Sequence, residues 1–176
     1  MSERELLKAM TDFFDREKMD YALIGAFALY GYGYARSTRD VDFLTHSDNQ
    51  DRAIRFLAEL GFETTNRTDT FSNHIHPLGH SRVDLMYVSG DTARQMFEAT
   101  RKAVILDDVK LKVVSPEHLV ALKLFAAKCN PDRLFKELAD VKELVSRTNV
   151  DKSIVRQYFT KYELESYYGQ LFGQDG

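Results

Sequence analysis

The chain has 176 residues, 44% of them hydrophobic and 29% charged, with only 9 glycines and 3 prolines, a composition that excludes disordered and fibrous proteins. Its 24 basic and 27 acidic side chains leave a formal charge of −3, which argues against a strongly basic nucleic-acid clamp while leaving room for a local basic patch. The opening Met1-Ser2-Glu3-Arg4-Glu5 is charged, no apolar run approaches the roughly 20 residues of a membrane span, and the lone Cys129 permits no internal disulfide. A soluble cytoplasmic protein with no membrane partner is expected.

Leu6, Leu7, Met10, Phe13 and Phe14 recur at helical spacing between Glu3 and Glu17, so the chain opens with an amphipathic helix. Residues 21–24 form a short apolar run of strand length, followed at once by Gly25-Ala26 and a small-residue and aromatic stretch to Leu29. That order reads as strand, tight turn and helix, with Gly31 and Gly33 closing the helix. In residues 40–45, Val41 and Phe43 alternate with Asp40 and Asp42, which places two carboxylates on one face of a strand. Ile54, Leu57 and Leu60 support a helix over 50–60 that stops at Gly61, with Ser47 or Asp48 as its N-cap. Strands are expected near 62–65 and 70–76, and a clear one over 82–88 carries Asp84 between Val83 and Leu85. A helix over about 92–101 and a hairpin through Asp107-Asp108 complete the mixed region. From Ser115-Pro116, an N-cap with proline in the first turn, the pattern is helical only: 119–127, 134–145, 154–162 and 164–172.

The pattern that bears chemistry is Gly25-Ala26, then thirteen residues, then Asp40-Val41-Asp42, and later Val83-Asp84-Leu85. A strand ending in a glycine turn at a helix start offers close backbone approach and N–H groups to a phosphate. Three carboxylates on two strands form a donor set for a hard divalent cation such as magnesium, which keeps positions open for phosphate oxygens. Together they describe metal-assisted chemistry on a nucleoside triphosphate. Each piece alone has an ordinary structural reading, and Arg36 and Arg39 offer the carboxylates an alternative pairing. Lys123 stands inside an apolar helical stretch, where an ammonium wants an anionic partner, a triphosphate for example, or else snorkels to solvent. Arg133, Lys136 and Asp140 at helical spacing read slightly better as a solvated charged stripe than as a cleft lining. Asn73, His74, His76 and His80 read as ordinary strand and loop residues, because no third metal ligand stands at a known spacing.

These residues resemble the nucleotidyltransferases of the polymerase-beta superfamily. Ile24-Gly25-Ala26, the gap, and Asp40-Val41-Asp42 flanked by apolar residues match their signature, with Asp84 as the later carboxylate. Within that superfamily the chain looks most similar to small bacterial proteins related to the AbiEii toxin. Arg36-Ser37-Thr38-Arg39-Asp40-Val41-Asp42 carries the likeness, as do Ser115-Pro116-Glu117, Lys123 and the segment with Arg133, Lys136, Glu137 and Asp140. One departure is Ala26, where the wider superfamily has glycine or serine; alanine keeps the backbone N–H and loses a hydroxyl.

The resemblance implies an α/β (α+β) fold, a mixed sheet flanked by helices over residues 1–114 with a helical part, 115–176, packed against it. It implies a nucleotidyltransferase that moves a nucleoside monophosphate from a triphosphate to an unidentified hydroxyl-bearing acceptor, whether small molecule, protein or RNA, with a toxin–antitoxin role in view. Asp40, Asp42 and Asp84 would be catalytic and hold two magnesium ions, or manganese in their place. Gly25, Ala26, Arg36, Thr38, Arg39 and Lys123 would bind the triphosphate. The competing reading is a silent nucleotide-binding or antitoxin module of the same fold.

Overall fold

The computed structural model describes residues 1–79, 81–106 and 109–173. They form two compact units, one of Met1–Gly31 with Ala35–Val114, the other of residues 32–34 with Ser115 onward. Asp107-Asp108, where the hairpin turn was expected, and His80 lie outside the described residues.

The first unit is a seven-stranded mixed sheet with four helices. In chain order it runs α1 (Glu3–Arg16), β1 (Tyr21–Leu23), α2 (Gly25–Gly31), β2 (Asp40–His46), α3 (Gln50–Glu59), β3 (Glu63–Arg67), β4 (Phe71–Ile75), β5 (Arg82–Val88), α4 (Gly90–Glu98), β6 (Arg101–Ile105) and β7 (Val109–Val113). The strand order is β3-β4-β5-β2-β1-β7-β6. The pairs β2·β5 and β1·β7 are parallel and the others antiparallel, so the expected mixed α/β architecture is the one observed.

Ser2 starts α1 with a capping box, its hydroxyl accepting from the Glu5 N–H while the Glu5 carboxylate accepts from the Ser2 N–H; this satisfies two otherwise orphaned donors. The apolar stripe of α1 then packs on the sheet face that carries Phe43. Phe14 lies 5.0 Å from the Tyr21 ring and 5.5 Å from Phe43, and Phe13 stacks on Phe56 of α3 at 4.1 Å. Val41, Phe43, Val83 and Leu85, which share that face, are at most 1% exposed, and each such buried side chain contributes roughly 1.5–3 kcal/mol. The period-2 alternation of strands sends Asp40, Asp42 and Asp84 to the opposite face, where all three are half-buried.

Three local expectations are corrected. The helix over 50–60 is not capped by Ser47 or Asp48: a 3-10 turn (Ser47–Asn49) precedes it, and His46 Nδ1 accepts from the Asp48 N–H. Its neighbour α4 stops at Glu98, before the expected Arg101, because the Thr100 hydroxyl takes the Phe97 carbonyl and Arg101 opens a strand. Of the two glycines expected to close α2, only Gly33 is left-handed (φ 84°); Gly31 is needed because a Cβ there would stand 2.9 Å from the Ala103 Cβ and 2.8 Å from the Ile105 Cδ1.

The second unit holds α5 (Pro116–Cys129), α6 (Leu134–Arg147), α7 (Lys152–Lys161) and α8 (Glu165–Phe172). Ser115 caps α5 by accepting from the His118 N–H, with Pro116 in the first turn as the sequence predicts. The break before α8 is a single left-handed residue, Glu163 (φ 59°), after which the Leu164 N–H returns to the Phe159 carbonyl. Phe159 meets Tyr168 and Phe172 edge-on at 5.4 and 6.3 Å, and these two rings lie tilted at 5.2 Å.

Candidate active site

Residues 21–46 position the carboxylates through two adjacent strands. In the antiparallel pair β1·β2, Leu23 faces Phe43, and the ladder continues one step beyond β1 because the Ile24 N–H donates to the Asp42 carbonyl at 2.9 Å. The turn that follows is thereby held to Asp42 itself. Gly25 opens α2 with φ 65°, and a Cβ built there would lie 2.0 Å from Asp42 Oδ2 and 2.6 Å from its carboxyl carbon. Glycine is required twice over, once for the left-handed backbone and once because the Asp42 carboxylate occupies the space a side chain would take. Ala26, the next residue, is buried.

On the other side of β2, the parallel register sets Asp40 opposite Arg82 and Asp42 opposite Asp84. Parallel neighbours lie about 4.8 Å apart, so at an effective dielectric of about 20 two adjacent carboxylates repel by on the order of 3 kcal/mol. A cation bound on this face would offset that cost. The entrance to β2 is fixed by Thr38, whose hydroxyl donates to the Asp40 carbonyl at 3.3 Å and accepts from the Asp40 N–H at 3.2 Å. Asp84 receives a further contact from β4: Asn73, its register partner, donates from Nδ2 to Oδ1 at 2.8 Å.

Two recesses in this unit are lined by sequence neighbours of these residues and not by the three aspartates themselves. One, of about 270 Å³, is lined by Ala26, Phe27, Tyr30, Arg36 and Thr38 among others. The second, of about 300 Å³, is lined by Glu3, Arg39, Gly79 and Ser81. Of the residues singled out in the sequence, Gly25, Asp42 and Asp84 are neighbours, Asp40 lies two residues along the same strand face, Ala26, Arg36 and Thr38 share one recess, and Arg39 lines another. Among the described residues no group of three or more carboxylate, imidazole or thiolate side chains is placed to hold a metal ion. The donor chemistry nevertheless fits a hard cation, with oxygen ligands only and a turn whose single missing Cβ makes room for one of them.

Lys123 belongs to the helical unit and does not snorkel. It is 5% exposed, and its ammonium pairs with Asp140 at 2.6 Å and Glu137 at 2.9 Å. Arg133 completes the group by reaching Glu137 at 2.6 Å. Glu137 and Asp140 are 0% and 1% exposed, so of the solvated stripe expected here Arg133 and Lys136 are exposed, while Asp140 belongs to a buried ion network. The signal was present in the sequence: 137, 140, 141 and 144 fall on one helical face, and Lys123 shares its face with Leu119, Val120 and Leu124, so opposite charges sit on two apolar stripes.

A family model described as "Nucleotidyl transferase of unknown function (DUF2204)" matches residues 3–168. The chain belongs to this family. It is therefore a nucleotidyltransferase-family enzyme, the class of activity the motifs lead one to expect. No curated protein matches the sequence. Among solved structures, the solution structure of the antibiotic-resistance factor ANT(2'')-Ia aligns with a TM-score of 0.73 at 15% identity, covering 95% of this chain and 93% of that one. The lincosamide antibiotic adenylyltransferase LnuA, solved with lincomycin bound, aligns at 0.60 and 18% identity over 84% of this chain and 99% of that one. An antigenic nucleotidyltransferase-like protein from Paracoccidioides brasiliensis aligns at 0.60 and 15% identity over 94% and 89%. At these identities the alignments establish a shared fold. No helix among the described residues is long and apolar enough to cross a membrane.

Proposed function

We propose that this chain transfers a nucleoside monophosphate, with adenylate the first candidate, from a triphosphate to a hydroxyl group on a small molecule, with magnesium or manganese held by Asp40, Asp42 and Asp84. The observation that carries the reading is the meeting of Asp42 with both Gly25 and Asp84, which puts a glycine turn and two carboxylates at one point of the sheet. Such a cation would neutralise charge on the transferring phosphoryl group and on departing pyrophosphate. The chain's own part is to orient: the Ile24 bond and the Gly25 contact fix Asp42, and Thr38 fixes the backbone of Asp40. Gly25 and Ala26 would meet the triphosphate through the backbone, with Arg36 and Arg39 beside it.

Support for a small hydroxyl-bearing acceptor comes from the neighbours, one of them solved with lincomycin and one, ANT(2'')-Ia, also in complex with adenylyl-2''-tobramycin. The toxin-type role and the AbiEii likeness rest on the motifs alone and rank second, as does a protein or RNA acceptor. A cytoplasmic setting belongs to this reading and agrees with the single cysteine. Lys123 enters it as the ion-paired link between α5 and α6, not as a triphosphate ligand.

Incubation with each α-labelled triphosphate, magnesium and a panel of aminoglycosides and lincosamides tests the proposal. Label transferred to an acceptor, matched by pyrophosphate release, is expected. Magnesium-dependent triphosphate binding with no release under any condition would leave a silent binding module instead.

A further inference from the structure

The hydrogen bond from Asn73 to Asp84 is anchored from beneath. Strand alternation sends Ser72 and His74 to the inner face of β4, on either side of Asn73. There the Ser72 hydroxyl lies 2.7 Å from both His74 Nε2 and the Tyr87 hydroxyl, and His74 Nδ1 lies 3.1 Å from the Thr64 hydroxyl. Ser72, His74 and Tyr87 are 0%, 1% and 4% exposed. Partnered polar groups at this depth are costly to separate, so the network ties β3, β4 and β5 together by side chains and penalises a slip of the β4·β5 register. That register is what sets Asn73 opposite Asp84.

A carboxylate only accepts, so the group within 2.8 Å of Asp84 Oδ1 is the amide nitrogen, and its direction fixes the plane of the carboxylate. Groups that orient a metal-binding carboxylate in this way commonly alter metal affinity ten- to a hundredfold when removed.

We infer that Asn73 is a positioning residue that presents Asp84 to the divalent cation, held in place by the buried Ser72–His74–Tyr87 network on the other face of its strand. The inference rests on the proposed function, in which Asp84 is a metal ligand. It needs no contact between Asn73 and either substrate or cation, and it distinguishes Asn73 from a residue that merely fills the strand.

The test is equilibrium titration of the nucleotide-free full chain with Mn²⁺, free ion being read by electron paramagnetic resonance, in wild type, Asn73→Ala, Asp84→Asn and the double variant. Asn73→Ala is expected to weaken Mn²⁺ binding about ten- to a hundredfold, and to weaken it no further once Asp84→Asn is present, because the two act through one carboxylate. Asn73→Thr, which suits a strand, makes the same comparison if Asn73→Ala fails to fold. Affinity within twofold of wild type for the Asn73 variant, beside a strong loss in Asp84→Asn, would overturn the inference and leave the carboxylate assignment standing. An equal loss in both backgrounds would also overturn it, since Asn73 would then act independently of Asp84. Wild-type affinity in Asp84→Asn would remove the assignment of Asp84, and the inference with it.

Discussion

Gly25→Ala separates a backbone effect from a site effect, because the chain contains its own control. Gly25 and Gly90 each open a helix with similar positive φ, 65° and 58°. An alanine in that conformation costs about 1–2 kcal/mol at either position. At Gly90 nothing lies within 4 Å of the new Cβ, whereas at Gly25 the Asp42 carboxylate lies at 2.0 Å. To reach ordinary van der Waals contact near 3.4 Å the carboxylate must retreat by more than an ångström, and overpacking of that kind adds about 1–3 kcal/mol. Chemical denaturation should therefore show Gly90→Ala losing about 1–2 kcal/mol and Gly25→Ala about 2–5 kcal/mol. A displacement of about 1 Å at a reacting centre costs on the order of a hundredfold in rate, so pyrophosphate release should fall about that far in Gly25→Ala and stay at wild-type level in Gly90→Ala. Equal stability and equal turnover in the two variants would refute the claim that Gly25 exists to admit Asp42.

Lys123→Met should destabilise the protein by about 3–5 kcal/mol, because it leaves Asp140 and Glu137 buried beside an apolar stem; an unchanged denaturation midpoint would contradict the buried network. His74 supplies a pH dependence: burial pushes its imidazole from 6.5 down to about 4, so the unfolded chain takes up the proton first as pH falls. Its contribution to stability is then complete above about pH 6.5 and declines toward pH 4 by about 3 kcal/mol in all. Denaturation of His74→Gln across that range should lack this component while retaining same-signed ones, such as that of half-buried His118; a slope identical to wild type would show that His74 titrates normally.

Much of the site was legible because alternation is a strict code. Asp40 and Asp42 between Val41 and Phe43 could only share a face, and Asp84 between Val83 and Leu85 had to repeat the arrangement on another strand. Which residue of β5 stands beside Asp42 was not legible, since register is set by cross-strand packing over seven paired positions, from Asp40↔Arg82 to His46↔Val88. The same limit hid Asn73, whose role depends on pairing with a strand eleven residues away. Gly25 was read as room for phosphate; the contact that constrains it comes from Asp42, seventeen residues on. Within the stripe of Arg133, Lys136 and Asp140, Asp140 was misread because it is a normally solvated type, and its burial depends on Lys123 from a separate helix. The Ser115-Pro116 start of α5 was readable because its partner lies within one turn, whereas the cap expected before α3 was misplaced and the Ser2–Glu5 box of α1 went unread.

The central claim is that the carboxylates around Asp42 hold the cation that drives nucleotidyl transfer, and the most direct measurement is magnesium-dependent pyrophosphate release by wild type and Asp42→Asn with one accepted acceptor. The account predicts release that rises with magnesium in wild type and falls to background in Asp42→Asn at saturating magnesium, with the circular dichroism spectrum of the fold retained. Wild-type turnover in a folded Asp42→Asn would contradict it.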